Sequence, residues 1–295
     1  MEDSLRPFAD RKRMTRLGEA VAKSLRRAKR PLIEDRHIWT ILIEIYRERS
    51  VGYLRGEAPA LSTLNRVKDL LRAERIISRD HDYARAWRVN ELPDVQADEA
   101  VCLIDEGTCI SHLSAMQKFN LTERRPQTLF LTVSTNDQWR DLAEMPPQSG
   151  EETLIRQRRH HPEFVRSREL DIFQTKNFPR TTQIKSSPVR VTDISETFLN
   201  MLEHPERCGG MSHVLDVYEQ HAKSYLSQIV KRIDVSEVKL TKVRAGYIIT
   251  ERLGLKSPMA EDWQRFAQRG GSQRLDPKAP YKPTFSENWM LSLNV

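Results

Sequence analysis

The chain has 295 residues, 38% of them hydrophobic and 30% charged, with a net charge of +7 and three cysteines. No run approaches the ~20 apolar residues of a membrane span. Cys102, Cys109 and Cys208 are too few and too irregular for a disulfide framework or a zinc site. The first thirty residues lack the apolar segment of a secretory signal, so the expected compartment is a reducing cytoplasm.

The charge is unevenly placed. Residues 1–90 hold 21 Lys and Arg against 13 Asp and Glu, a net +8, while the remaining 205 hold 27 against 28, a net −1. A basic first third on a near-neutral body suggests a nucleic-acid contact confined to that third. The competing reading is a solvated basic helix.

In chain order, residues 10–30 predict a basic helix, with Leu17, Ala20, Val21, Ser24, Leu25 and Ala28 at helical spacing. Residues 1–33 are expected as a basic N-terminal extension. Residues 34–50 predict a second helix with Ile38, Ile41, Leu42 and Ile45 on one face, and VGYLRGE breaks it. Residues 58–76 predict a third, striped by Leu64, Val67, Leu70 and Leu71 and opened at Ala60 or Ser62. ISRDHDYARAWRVN (77–90) alternates around a charged turn and reads as a hairpin.

That order is the order of a winged helix-turn-helix, expected over residues 34–95. Ser62, Thr63, Asn65, Arg66, Lys68 and Arg72 then lie off the apolar stripe of a recognition helix. Short polar side chains suit base edges, and Arg or Lys suit guanine and phosphate. Arg79, His81, Tyr83 and Arg85 fall on the wing, near the backbone or minor groove. A three-helix module that binds another protein is the alternative.

The remainder, 96–295, is expected as a mixed α/β domain, giving an α+β protein overall. ADEAVCLIDEGT and CISHLSAMQKFNL read as one or two helices, TLFLTVS (128–134) as a strand, and MPPQSGEE (145–152) as a loop. Short strands in 164–178 and 182–193 predict a small, mostly antiparallel sheet. Asp193, followed by Glu196, looks like an N-cap with a capping-box partner. Two or three helices follow CGG (208–210), the last stopped by Gly254, and WMLSLNV suggests a final strand.

No P-loop, GxSxG, HExxH or paired CxxC is present. RGGS (269–272) is not placed between a strand and a helix as a phosphate loop would be. His160 and His161, adjacent before a proline, read as a surface loop rather than metal ligands. Ser111–His112 invites a nucleophile–base reading, with Cys109 close by. Adjacent residues of a helix do not face each other, so a packed helix is the favoured reading. No catalytic residue, metal or cofactor is expected.

Several stretches together carry a resemblance: CISHLSAMQKFNLTERRPQTLFLTV, SSPVRVTDISETFLNMLEHPERCGG, RAGYIITERLGL and RGGSQRLDP…ENWMLSLNV. The chain resembles the AbiEi antitoxins, the DNA-binding partners in type IV abortive-infection toxin–antitoxin pairs, over roughly residues 98–295. The resemblance implies an N-terminal winged helix and a larger α/β C-terminal domain. It implies a repressor of its own promoter, bound at repeated sites of double-stranded DNA. It also implies an antitoxin against a cognate AbiEii-like nucleotidyltransferase toxin, a class thought to attack translation. Two features depart from the pattern: the segment 1–33, and Asn200 where the family usually has an acidic residue. VTD, CGG and RLG read as fold signatures. A toxin-binding module without DNA binding, and an enzyme acting on the toxin or on RNA, are the alternatives. No coiled-coil heptad is seen, which favours monomers meeting on repeated DNA.

Overall fold

A computed structural model describes residues 14–142, 158–268 and 273–295. The expected loop at 145–152 and the RGGS stretch lie outside the described residues, as does the start of the basic segment. The chain forms two compact units. The first takes residues through Gly107 and Asn136–Arg168, and the second takes Thr108–Thr135 and Glu169–Val295.

The first unit opens with α1 (Arg16–Ala28), capped by Thr15, whose hydroxyl accepts from Gly18 N at 3.2 Å. It buries Leu17, Val21, Ala22 and Leu25 and turns its arginines outward. Then come β1 (Leu32–Glu34), α2 (Asp35–Glu48), α3 (Leu61–Ala73), β2 (Ile77–Arg79) and β3 (Ala86–Val89). The sheet order is β1-β3-β2, antiparallel throughout. This is the winged helix-turn-helix order, with one change from expectation. Residues 14–33 are not an extension, because α1 shares one core with α2, α3 and the hairpin around Val21, Ile38, Trp39, Leu42, Leu71 and Trp87. Burying each large apolar side chain there contributes ~1.5–3 kcal/mol, which the basic composition of 10–30 hides from a charge count. The third strand, β1, was also absent from the sequence reading, since three residues show no period.

The unit continues past residue 95. α4 (Ala97–Ile104) packs on β1. Arg36, 2% exposed, is held by Glu34 at 2.8 Å and Glu106 at 2.7 Å. The expected border at 95/96 therefore cuts through a buried ion network.

Next the chain lays down β4 (Thr108–Ile110), α5 (His112–Lys118) and β5 (Leu129–Ser134) in the second unit. It returns to the first with α6 (Asn136–Leu142) and β6 (Phe164–Val165). It then completes the second with β7 (Arg168–Thr175), β8 (Thr181–Gln183), β9 (Arg190–Thr192), α7 (Ile194–Glu203) and α8 (Met211–Asp234). After α8 come α9 (Lys239–Gly246), α10 (Pro258–Asp262), β10 (Phe285–Ser286) and β11 (Leu291–Ser292). Five strands run in the order β7-β5-β4-β9-β8. The β4–β5 and β8–β9 pairs are antiparallel and the β5–β7 and β4–β9 pairs parallel, so the antiparallel expectation holds for two of the four pairings.

α7 starts at Asp193, whose carboxylate accepts from Glu196 N at 2.7 Å. The Glu196 side chain does not close a capping box; it reaches Arg232 of α8 instead. Tyr218 of α8 donates to Phe198 O at 2.9 Å and seals the α7–α8 contact. Gly209 sits at φ 90, where a Cβ would also meet Arg124 at 2.7 Å. Gly246 lets the Trp289 ring lie on α9, since a Cβ there would come within 2.1 Å of it.

Candidate nucleic-acid interface

α3 follows Pro59 and Ala60, with no acidic residue in its first turn. Leu64, Val67, Leu70 and Leu71 face the core. The helical period then puts Ser62, Asn65, Arg66, Asp69 and Arg72 on one exposed stripe. Thr63 sits half-buried at its edge. Lys68 leaves the stripe: its Nζ is 2.7 Å from Asp35, at the start of α2.

The hairpin supplies the second part. Arg79 lies over the Trp87 ring at 3.6 Å, and Arg72 approaches the same ring at 5.7 Å. Trp87 is buried and donates through Nε1 to Asp35 at 2.7 Å. Stacking of this kind contributes about 0.5–2 kcal/mol and fixes where a guanidinium points. Arg79, His81 and Arg85 are exposed along the hairpin, and His81 Nε2 is 3.0 Å from Arg88.

Tyr83 does not belong with them. It is 5% exposed, and its hydroxyl meets His161 Nδ1 at 2.8 Å, so no phosphate reaches it. The surface-loop reading of His160 and His161 is half corrected by the same bond. His160 is exposed, whereas the His161 side chain is buried between Tyr83 and Asp105. Burial pushes His161 down to about 4, although Asp105 pulls the other way.

The sequence reading also missed a clamp. Asp80, Asp82 and Asp94 place three carboxylates beside the hairpin, which would repel DNA. Arg166 binds all three: Asp80 at 2.7 Å, Asp82 at 2.5 Å and Asp94 at 3.2 Å. Burial opposes ionisation of Asp80, but Arg166 and the amides of Tyr83 and Asp82 outweigh it and hold the carboxyl below its ordinary range. Arg166 lies 84 residues beyond Asp82, and no local pattern joins them.

Ser111 and His112 belong to the second unit. Contrary to the packed-helix expectation, the two side chains meet. Ser111 is the extended N-cap of α5 (φ −143), and His112 takes a left-handed φ of 50. Ser111 Oγ and His112 Nδ1 are 2.8 Å apart. Both residues are 0% exposed, and His112 Nε2 has no partner among the described residues. Burial, helped by His204 and Arg207, pushes His112 down to about 3. The pair has a nucleophile's bond length without an open approach or an orienting carboxylate.

Among the described residues, no cluster of three or more His, Cys, Asp or Glu is arranged to hold a metal. No helix there is long and apolar enough to cross a membrane.

No protein-family model matches the chain, and no curated protein sequence matches it. Among solved structures it is similar to the crystal structure of the RV2827C protein from Mycobacterium tuberculosis. The two share 10% identity and a TM-score of 0.50, over 96% of this chain and 92% of that one. The likeness is one of fold, extending over both units.

Proposed function

We propose that the chain is a non-enzymatic DNA-binding repressor of its own promoter and the antitoxin of a type IV pair. α3 enters the major groove with Ser62, Asn65 and Arg66 foremost. Arg72, Arg79, His81 and Arg85 follow the backbone. The observation that carries the DNA half is the exposed stripe of α3, backed by a hairpin whose cations face solvent and whose carboxylates are bound by Arg166. Thr63 and Lys68 stand at the margin of that surface, and Tyr83 supports it from within. The antitoxin half rests on the resemblance alone.

A gel shift on the duplex immediately upstream of the reading frame tests the DNA half. The expected result is a selective complex that survives scrambled competitor and weakens steeply with salt, because each phosphate contact releases counterions. Absence of any selective complex would remove the assignment. For the antitoxin half, co-expression with the cognate toxin is the test, using Arg66→Glu rather than a truncation at 95, which would tear α4 from β1. Rescue of growth by that variant is expected if repression and neutralisation are separate tasks. Loss of rescue by a folded Arg66→Glu protein would join them.

A further inference from the structure

A second feature of the first unit, apart from α3, is a cleft of about 550 Å³. It is lined by Arg85 from the hairpin, Trp139 and Arg140 from α6, and Arg158, Arg159 and His160. Asn136 completes the lining, which is rich in hydrogen-bond donors. Four guanidiniums contribute to it. Arg158 is paired with buried Asp105 at 2.8 Å. Arg159 uses its Nε on Glu34 at 2.9 Å, and Glu34 is already shared with Arg36. Arg140 meets Asp137 at 3.1 Å in an exposed pair, which screens little.

Trp139 adds an independent sign. It is 4% exposed, and its Nε1–H is buried with no acceptor among the described residues. A buried indole N–H ordinarily finds a partner. An arginine-rich lining with an unused N–H suits an acceptor-rich anion, and a guanidinium fork matches phosphate.

Position says which phosphate. Glu34, which holds Arg159, precedes Asp35, which holds Lys68 of α3 and the Trp87 indole under Arg79. Arg85 joins the hairpin to the cleft directly. We propose that this cleft binds a backbone phosphate of the duplex, outside the groove that α3 reads. The proposal rests on the DNA-binding reading above. It makes the footprint longer than a winged helix alone would give, with Arg140 and Arg159 as sequence-blind anchors and Arg158 held in the wall by Asp105.

The test compares wild type, Arg140→Gln and Arg85→Gln/Arg140→Gln by fluorescence anisotropy on the upstream duplex and on a scrambled duplex across a salt series. Melting curves check that the variants fold. Both substitutions lie on exposed side chains, and an unfolded double variant would leave Arg140→Gln to decide. The proposal expects affinity to fall several-fold for both duplexes equally, with the ratio between them unchanged. It also expects the slope of log K against log salt to flatten by about 0.9 for each phosphate lost. Unaltered affinity and slope in variants of a DNA-binding wild type would overturn the cleft assignment and leave α3 in place. A wild type that binds neither duplex would overturn both. Inorganic phosphate supplies the last arm: if it raises the melting temperature of wild type but not of the double variant, while DNA binding of the variant is unchanged, the cleft holds a free anion and the backbone assignment falls.

Discussion

One recess in each unit makes a contrast, and the two have opposite chemistry. The first unit's is lined by arginines. The second's, about 300 Å³, includes Glu196, Glu203 and Glu237 with Arg232 as their counterion, and Arg232 is spent on Glu196 at 2.5 Å. Burial, reinforced by neighbouring Glu196, raises the Glu203 carboxyl above its ordinary range. The proposed backbone contact suits the arginines of the first recess, and the glutamates of the second would repel one. The histidines differ less than the recesses do: His161 and His112 are both buried and both pushed toward the neutral form. What separates the recesses is the sign of the groups that line them, arginines in the first and glutamates around Arg232 in the second.

The comparison breaks most sharply at α3. The double substitution Arg66→Glu/Arg72→Glu replaces two attractive contacts with repulsive ones and should lower DNA affinity by on the order of 100-fold or more. The melting temperature should fall only slightly, since both side chains are exposed and Arg72 gives up a distant Trp87 contact and a surface pair with Asp69. Anisotropy with parallel melting curves reads both, and retained affinity would take α3 out of the interface.

Arg166→Gln comes next. It leaves Asp80, whose side chain is wholly buried, without its cation, frees Asp82 beside the hairpin, and leaves Asp94 to Arg88 alone. Removing one partner of a buried pair costs about 3–5 kcal/mol, and the partial exposure of Arg166 places the loss near the lower end. Urea unfolding should show the loss, with DNA binding weakened as well. A variant as stable as wild type would mean that the clamp is ornamental.

The histidines give a pH dependence. Both have folded-state values below the ordinary 6.5, so the unfolded chain binds more protons as pH falls below that value. Their contribution is fully present above about pH 6.5 and is lost as pH falls, the His161 part by about pH 4 and the His112 part by about pH 3. The His161 part is on the order of 3 kcal/mol and the His112 part on the order of 5 kcal/mol. Stability measured between pH 7 and 4 should slope downward, and His161→Gln should flatten the slope. A stability flat over that range would show that these rings are hydrated in the folded state.

The smallest expected effect sharpens the contrast from the other side. Ser111→Ala removes one buried hydrogen bond from His112 Nδ1 and should cost about 1–3 kcal/mol, with DNA affinity unchanged. A loss of antitoxicity in this variant, at wild-type stability, would bring the Ser–His pair back as functional.

The winged helix was legible in the sequence because its signals are local. The stripe Leu64, Val67, Leu70 and Leu71 marks the buried face of α3, and the exposed face follows by helical period. The Asp193 cap and the turn at Gly209–Gly210 were legible for the same reason. Groups that meet across long separations were not. Tyr83 alternates as a wing residue should, yet it turns inward to His161, 78 residues away. Arg166 gives no hint in sequence of Asp80, Asp82 and Asp94. The Ser111–His112 bond was excluded by a rule for helix interiors that does not hold at an N-cap, where the backbone is still extended. The helix of α1 and the spacing of Leu17, Val21 and Leu25 were legible too, but its place in the core was not, because net charge describes its solvent face while Val21, Ala22 and Leu25 decide its packing.

The central claim is that α3 lies in the major groove, and a site-specific crosslink tests it most directly. The three native cysteines are buried, so Asn65→Cys carries the exposed thiol. Coupled to a short photoactivated crosslinker on the upstream duplex, it should join the protein to bases at a few adjacent positions through their major-groove edges, and scrambled competitor should not prevent it. Crosslinks scattered along the duplex, confined to the minor groove, or no more frequent than on scrambled DNA would contradict the account.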